Sequence, residues 1–412
     1  MNFKTYSKLL RLALFVILPF SINAQVINGI DLLFSENLQL ISGKNIAVVC
    51  NHTAVLSNGT HLVDALISKK GVNVKVIFTP EHGFRGVVEA GEKIDYQKNQ
   101  YKNIPIVSLY GKERKPSSKN LNDIDLIIFD IQDVGARFYT YISTMFYTLE
   151  AGGENKIPVM ILDRPDPIGG KYVDGQVLDP NYKSFVGIAQ IPIAYGMTTG
   201  ELASFFVGEK LVPYSESISL NVIKCKNWHR EIPNKFYSQW LAPSPNINTL
   251  KTALVYPGTC LVEGINISEG RGTEEPFIQI GAPFFDSQKI IEKLKLLNVD
   301  GAEFEPVSFT PKDIDGMATS PKYIDQNCNG IKINITDPEK FESVKYGVKF
   351  LYVVNKLYGD KVKFNNDSFD RLAGGKELRE MIQNKVDPDF IFASWQKNLD
   401  TFNKLRNKYL LY

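Results

Sequence analysis

The chain has 412 residues, of which 44% are hydrophobic and 22% charged, an ordinary globular composition that excludes a mainly disordered protein. This length accommodates two domains and a large core. The formal net charge of +2, without a long basic run, argues against nucleic acid as a partner.

The first 25 residues have the three-part form of a secretory signal peptide. A basic flank precedes an apolar stretch from Leu12 to Phe20, and a small-residue cleavage motif ends at Ala24. The stretch is shorter than the roughly 20 residues that span a bilayer, so we expect its removal rather than stable membrane insertion. A buried amphipathic helix is the alternative. The expected mature protein is periplasmic or secreted, with 44 basic against 45 acidic residues.

A rhythm of strands and helices begins after the signal. Five short apolar runs lack polar alternation and predict strands buried on both faces, at 46–50, 74–79, 104–109, 125–130 and 157–162. Helical segments follow at 61–70 and 141–151. Strands alternating with helices predict an α/β fold with a mostly parallel sheet. Right-handed crossovers would place the strand ends on one edge.

The pattern becomes irregular from about residue 165. We expect a β-rich stretch at 185–196, a helix at 200–210 and a strand at 220–225. The segment 241–258 is dense in Pro, Asn and Gly and predicts a boundary near residue 255. The first domain is then 26–255, and a smaller α+β domain covers 256–412. Its expected helices lie at 287–298, 342–359 and 390–412, with a short strand at 332–337.

Four of the expected strands end on polar residues that can do chemistry. They are Asn51 and His52, then Glu81 and His82, then Asp130 with Gln132 and Asp133, then Asp163 and Arg164. In open α/β sheets, ligands bind in the crevice at the carboxyl ends of the strands. The sequence therefore predicts a binding or catalytic site at this edge.

Glu81 is the strongest catalytic candidate. It directly follows Pro80 at a strand end and lies between Phe78 and Phe84, an apolar setting suited to a general acid. A helix-capping role is the alternative. His82 is expected to orient Glu81, bind substrate or move protons.

The other strand-end residues have two interpretations each. Asn51 and His52 either hydrogen-bond a ligand or the Glu81 loop, or have a structural role in a turn. Asp130 and Asp133 could hold a cation or sugar hydroxyls, but no calcium-type loop is present and we expect no metal. Asp163 and Arg164 either line the site or pair with each other. The four cysteines show no CxxC, and we assign neither a disulfide nor a zinc site.

Two further segments carry candidate binding residues. Arg137, Tyr139 and Tyr141 alternate before a helix, where tyrosine can stack on a sugar and arginine can clamp a carboxylate. An ordinary helix start is the alternative. Glu269 and Arg271 lie in a Gly-rich stretch that either closes over the cleft or forms a plain turn. GxGxxG, GxxxxGK[ST], HExxH and GxSxG are missing, so we expect carboxylate or imidazole chemistry without a nucleotide cofactor.

Several dense blocks resemble the bacterial exo-β-N-acetylmuramidases of the NamZ type. They include TPEHGFRG, FDIQDVGARFYTYISTM, LDRPDPIGG, YGMTTGEL, PSPNINTL and SEGRGT, and the similarity extends from about residue 28 to the terminal KYLLY. The resemblance implies a Rossmann-like first domain, a smaller second domain and an active cleft between them. It implies an exo-acting glycoside hydrolase that releases N-acetylmuramic acid from the non-reducing end of peptidoglycan fragments such as MurNAc-GlcNAc.

The resemblance places the key glutamate of the family on Glu81. The other positions that carry over as site-lining residues are His82, Gln132, Asp133, Arg137, Tyr139, Asp163, Arg164, Tyr195, Glu269 and Arg271. One departure is Ala54, where the family more often has glycine.

Glycoside hydrolysis needs an acid at the leaving oxygen and a base or nucleophile at the anomeric carbon. We expect Glu81 to be the acid. The second group is open between Asp133, Asp163, Glu89, Glu269 and the N-acetyl group of the substrate. Arg137 or Arg271 is expected to pair with the lactyl carboxylate that distinguishes muramic acid from N-acetylglucosamine. The rival functions are a non-catalytic wall-sugar binding protein and an exported metal-dependent hydrolase that uses Asp130, Asp133 and His82.

Overall fold

The structure is a computed structural model that describes residues 25–86, 100–231 and 240–412. Residues 1–24 of the expected signal peptide precede the first described residue. Glu89 lies in the gap between residues 86 and 100. The signal sequence and Glu89 therefore lie outside the described residues.

A seven-stranded sheet forms the centre of the first domain. Its strands are β1 Asn45–Cys50, β2 Asn73–Thr79, β3 Gln100–Tyr101, β4 Ile104–Ser108, β5 Leu126–Asp130, β6 Val159–Leu162 and β7 Leu220–Ile223. Their spatial order is β3-β4-β2-β1-β5-β6-β7, in which β3 pairs antiparallel and the other neighbours pair parallel. From β4 to β7 this is the doubly wound order, which reverses between β1 and β5. The predicted fold class is confirmed.

The sheet is covered on both faces, as its apolar strands require. Alternate residues of β1 point into two different apolar cores: Ala47 and Val49 into one, Val48 and Cys50 into the other. The first core includes side chains of α3 Tyr141–Asn155 and α4 Thr199–Gly208. The second includes side chains of α1 Gly29–Glu36 and α2 Leu62–Ile67.

The second domain combines a small antiparallel sheet with helices. The sheet has the order β8-β10-β9, from β8 Gln279–Ala282, β9 Ala302–Phe309 and β10 Cys328–Ile335. The helices are α5 Leu250–Thr259, α6 Ser287–Leu296, α7 Ser343–Tyr358, α8 Asn366–Ala373, α9 Glu377–Gln383 and α10 Pro388–Arg406. Across the described ranges, no helix has the length and apolarity that a bilayer crossing requires.

Two segments differ from the sequence prediction. The Pro-rich segment at 241–258 marks the expected boundary near residue 255, and its second half forms α5, a helix that the sequence pattern does not predict. α5 packs against α7 so closely that a Cβ on Gly347 would lie 2.4 Å from the carbonyl oxygen of Gly258. The β-rich stretch at 185–196 joins neither sheet and instead makes single bridges, such as Ala194 to Ala136. Its backbone carbonyls serve a buried arginine described below.

The C-terminal segment returns to the first domain and fastens the two domains together. Arg406, the last residue of α10, donates from Nε to the carbonyl of Gly196 at 3.1 Å. The backbone amide of Leu411 donates to Glu201 Oε1 at 2.7 Å, and the Tyr412 hydroxyl donates to Asp163 at 2.6 Å. The relative position of the two domains is therefore fixed by buried polar contacts as well as by apolar packing.

Candidate active site

A cavity of about 120 Å³ lies beyond the carboxyl end of β2, where the two domains meet. The first domain supplies Glu81, His82, Val186 and the segment 138–140; the second supplies Tyr256, Glu263, Arg271, Phe277 and Leu372. Ser244 and Asn246, just before α5, complete the wall together with Ile247. Two carboxylates, an imidazole and several aromatic rings thus share one enclosed space.

Glu81 is held by two hydroxyl groups. The residue is 8% exposed, and Thr140 Oγ1 donates to its Oε2 at 2.6 Å. The hydroxyl of Tyr110 is also hydrogen-bonded to Glu81. Burial, followed by the negative charge of Glu81, raises the pKa of Tyr110, so this hydroxyl keeps its proton and acts as a donor. The carboxyl group therefore has a fixed orientation in the cavity.

Sequence reasoning missed Thr140 and Tyr110. Tyr110 comes directly after the strand predicted at 104–109, so the strand-end argument used for Glu81 would have reached it. Thr140 lies between Tyr139 and Tyr141, which were singled out, but a threonine before a helix is more often read as a cap. No side-chain capping bond from Thr140 to α3 is formed here.

His82 lies beside Glu81 with a left-handed backbone (φ 68°) and is 6% exposed. Its ring meets that of Tyr141 edge-on, with 6.4 Å between the ring centroids. The turn that follows β2 therefore directs both residues of the predicted pair into the cavity.

Asn51 and His52 contact residues that surround the cavity. The buried Asn51 donates from Nδ2 to Tyr141 Oη at 3.1 Å and accepts from the hydroxyl of Thr53 at 2.6 Å. His52 Nε2 lies 2.6 Å from the carbonyl oxygen of Ala242. Burial lowers the pKa of His52, which favours the neutral ring with Nε2 as the donor. Neither side chain lines the cavity as the structure describes it.

Aromatic rings form one wall of the cavity. Tyr139 packs edge-on against Tyr141 at 4.7 Å and against Tyr256 at 5.9 Å between centroids. Tyr256 in turn meets Phe277 at 5.0 Å. Tyr141 is anchored by a 2.6 Å hydrogen bond from its hydroxyl to the carbonyl of Pro243. Such a wall suits the apolar face of a sugar ring.

A buried polar group near Tyr139 and Tyr141 consists of Gln132, Asp133 and Tyr195. Asp133 accepts hydrogen bonds from the Tyr195 hydroxyl and, at 2.9 Å, from the backbone amide of Gly135. Burial raises the pKa of Asp133 to about 6, against the opposing effect of these donors. Gln132 Nε2 donates to the carbonyl of Pro165 at 3.0 Å. These residues fix the loop after β5.

Arg137 is placed differently from the expected carboxylate clamp. Its guanidinium is fully buried and donates to the carbonyl oxygens of Gln176 at 2.6 Å, Ile191 at 2.9 Å and Leu372 at 2.9 Å. Burial lowers its pKa to about 9. The side chain joins three backbone segments from both domains, a placement that favours a structural role over substrate recognition.

Asp163 and Arg164 do not form the side-chain pair that was the alternative for them. Arg164 reaches across to Asp130 instead, through Nε and through Nη2 at 3.0 Å. Asp163 accepts from the backbone amide of Gly200 at 2.7 Å, at the start of α4, and from Tyr412. Burial raises the pKa of Asp163 to about 6. All three strand-end side chains therefore secure the fold.

Charged residues of the second domain form a network at the far wall. Arg271 donates to Glu263 Oε1 at 2.7 Å and stacks over Phe277 at 5.1 Å. Glu269 pairs with Lys322 at 3.0 Å and lies 3.6 Å from Arg271. Glu263 and Arg271 line the cavity, whereas Glu269 lies behind them. Sequence reasoning missed Glu263, although it belongs to the LVEG block within a region of family resemblance.

The structure offers no ready metal centre in the part of the chain that it describes. No three His, Cys, Asp or Glu side chains there are grouped as metal ligands. Asp130, a proposed ligand of the rival hydrolase, is committed to Arg164. All four cysteines are buried and free.

A doubly wound sheet and a cleft in which Glu81 and Glu263 share one cavity define a two-domain α/β protein equipped for carboxylate-based glycan chemistry. The chain belongs to the exo-β-N-acetylmuramidase NamZ family. The N-terminal family model matches residues 46–251, and the C-terminal model matches residues 254–412.

Relatives match over nearly the whole chain. The peptidoglycan β-N-acetylmuramidase NamZ of Bacillus subtilis (strain 168) is 41% identical over 390 residues, covering 94% of this chain and 92% of the relative. Crystal structures of two DUF1343 family proteins from Bacteroides fragilis NCTC 9343 share the fold. One has a TM-score of 0.85 at 32% identity, the other 0.77 at 36%, and each covers 94% of this chain and 99% of the solved one.

Proposed function

We propose that this protein is an exo-acting glycoside hydrolase that releases N-acetylmuramic acid from the non-reducing end of peptidoglycan fragments. One observation carries the proposal: a glutamate fixed by two hydroxyl groups stands in a cavity shared by the two domains. The Bacillus subtilis relative, named as a peptidoglycan β-N-acetylmuramidase, supports the substrate class.

In this mechanism Glu81 protonates the oxygen of the departing sugar. A general acid must lie within hydrogen-bond reach of that oxygen, in one orientation. Thr140 and Tyr110 supply this by binding the carboxyl group, so that Glu81 cannot turn away from the bond to be cleaved. The aromatic wall around Tyr139 and Tyr256 supports the sugar ring.

We assign the second role, that of base or nucleophile, to Glu263. Of the carboxylates considered from the sequence, Glu89 lies outside the described residues and is not tested by the structure. Asp163 and Glu269 are committed to other groups, and Asp133 is bound to Tyr195. Glu263 faces the cavity and is oriented by Arg271. The N-acetyl group of the substrate is the alternative, and a Glu263 variant separates the two.

Export is a further part of the proposal. Residues 1–25 carry the features of a signal peptide, and a periplasmic or secreted enzyme would meet peptidoglycan fragments directly. Mass spectrometry of the protein recovered outside the cytoplasm tests this, with a mature N-terminus at Gln25 or Val26 expected. An intact Met1 terminus retained in the cytoplasm would contradict it.

One assay separates the proposed activity from its rivals. The protein is incubated with a chromogenic N-acetyl-β-muramide and with the matching N-acetylglucosaminide, with and without EDTA. We expect cleavage of the muramide, resistance to EDTA and loss of activity in Glu81→Gln. Activity abolished by EDTA and restored by a divalent metal would support the metal-dependent hydrolase. Binding without cleavage would support the non-catalytic protein.

A further inference from the structure

The lactyl carboxylate of muramic acid needs a cationic partner, and the two arginines expected for it are already occupied. Arg137 is buried on three carbonyl oxygens. Arg271 is held between Glu263 and Glu269. A cation near Glu81 that no carboxylate of the described residues neutralises is therefore the better candidate to bind the lactyl group.

Arg114 has the required position. It lies in the loop after β4, four residues beyond Tyr110, whose hydroxyl binds Glu81. Its guanidinium stacks over the ring of Phe185 at 4.7 Å, and that ring lies 5.8 Å from the ring of Tyr110. The next residue, Val186, lines the cavity. Arg114 also acts electrostatically on Tyr110, which confirms their proximity.

The charge of Arg114 is available to a ligand. The side chain is exposed, and it forms no ion pair with any residue in the described ranges. Stacking on Phe185 occupies the face of the guanidinium but leaves its N–H edge open, the geometry that binds a carboxylate with two hydrogen bonds. The neighbouring Lys115 differs, because it pairs with Glu150 at 2.8 Å and with Glu154 at 2.7 Å.

We propose that Arg114, seated on Phe185 beside the Tyr110–Glu81 pair, binds the lactyl carboxylate and so selects muramic acid over N-acetylglucosamine. The inference rests on the proposed function, since it assigns the specificity of that same site. It also gives a role to an exposed arginine that lies over the ring of Phe185, next to the cavity-lining Val186.

Two substrates that differ in charge test the inference. They are a chromogenic N-acetyl-β-muramide and its neutral lactyl methylamide, assayed with wild type, R114Q, R114K and K115Q. We expect the ratio of kcat/KM for acid over amide to fall about 10- to 100-fold in R114Q, the effect of losing a charge-assisted hydrogen-bonded pair. R114K should fall between wild type and R114Q, because lysine keeps the charge without the planar fork. K115Q should keep the wild-type ratio.

The outcomes separate the two proposals. Wild-type protein that cleaves the muramide, together with an unchanged acid-to-amide ratio in R114Q, would overturn the role of Arg114 alone. Wild-type protein that cleaves neither substrate would overturn the proposed function and this inference with it. An equal loss of the ratio in K115Q would also overturn the inference, because the effect would then be a general one of loop charge.

Discussion

Thr140 Oγ1 donates a 2.6 Å hydrogen bond to Glu81 Oε2, which joins the residue before α3 to the turn after β2. The contact spans 59 positions in the sequence and both groups line the cavity. It converts a strand-end glutamate into a side chain with one defined direction, which general acid catalysis requires.

Removing the Thr140 hydroxyl should impair catalysis more than binding. Thr140→Val deletes the hydrogen bond that orients the Glu81 carboxyl group while keeping the shape, so we expect kcat to fall about 10- to 100-fold with a smaller change in KM. Thr140→Ser, which keeps the hydroxyl, should retain most of the activity. Steady-state kinetics on a chromogenic muramide measure both. A Thr140→Val enzyme with wild-type kcat would show that the contact does not position Glu81.

Replacing Glu263 tests the second catalytic role. If Glu263 is the base or nucleophile, Glu263→Gln should lower kcat by about 100-fold or more, the usual contribution of a group in this role. The exposed Glu113→Gln serves as a control for the general loss of one carboxylate and should keep wild-type kcat. A loss in Glu263→Gln below about fivefold would instead favour the N-acetyl group of the substrate.

Arg137 should matter for stability. Arg137→Met removes the donor of the Gln176 and Leu372 carbonyls, whereas the Ile191 carbonyl keeps the backbone amide of Leu178 at 3.2 Å. Each unsatisfied buried group costs about 1–3 kcal/mol. We therefore expect the free energy of unfolding to fall by about 3 kcal/mol or more, measured by urea denaturation. Wild-type stability combined with a raised KM for the muramide would restore Arg137 as a substrate ligand.

The stability of the protein should depend on pH through Asp133. Burial raises its pKa to about 6, above the roughly 3.9 of an unfolded chain, so the native state holds a proton that the unfolded state releases. This contribution is complete below about pH 4 and is lost as the pH rises through about 6. An asparagine side chain does not titrate in this pH range, so it makes no such contribution. Between pH 4 and 7, the free energy of unfolding of wild type should therefore fall by about 2–3 kcal/mol more than that of Asp133→Asn.

Tyr195 provides a second variant for the same measurement. Its hydroxyl hydrogen bond to Asp133 lowers the pKa of that carboxyl, in opposition to burial. Tyr195→Phe should therefore raise the Asp133 pKa and extend the loss of stability to higher pH. Identical pH profiles for wild type, Asp133→Asn and Tyr195→Phe would show that Asp133 does not titrate in this range.

The sheet was predictable because apolar runs bounded by turns are a local signal. The strands predicted at 46–50, 74–79 and 125–130 match β1, β2 and β5 to within one residue. α5 was not predictable, because its Pro257 and Gly258 locally disfavour a helix that its packing against α7 stabilises.

The cavity was predictable in part. Glu81 and His82 follow the apolar run at 74–79, which predicts a buried strand. Their place at the sheet edge therefore follows from the topology. The partners of Arg137 and Arg164 depend on which backbone carbonyls and carboxylates the tertiary fold brings near, and no spacing in the sequence encodes that. Tyr110 and Arg114 also follow a predicted strand, so the strand-end pattern extends to the loop after β4.

The most direct test of the central claim compares two leaving groups in Glu81→Gln. If Glu81 is the general acid, the variant should lose about 1,000-fold or more in kcat/KM on the disaccharide MurNAc-GlcNAc, whose leaving oxygen needs a proton. On a 2,4-dinitrophenyl muramide, whose leaving group departs without protonation, the loss should be far smaller. Equal losses on the two substrates, or near-wild-type cleavage of the disaccharide, would contradict the assignment of Glu81 as the acid.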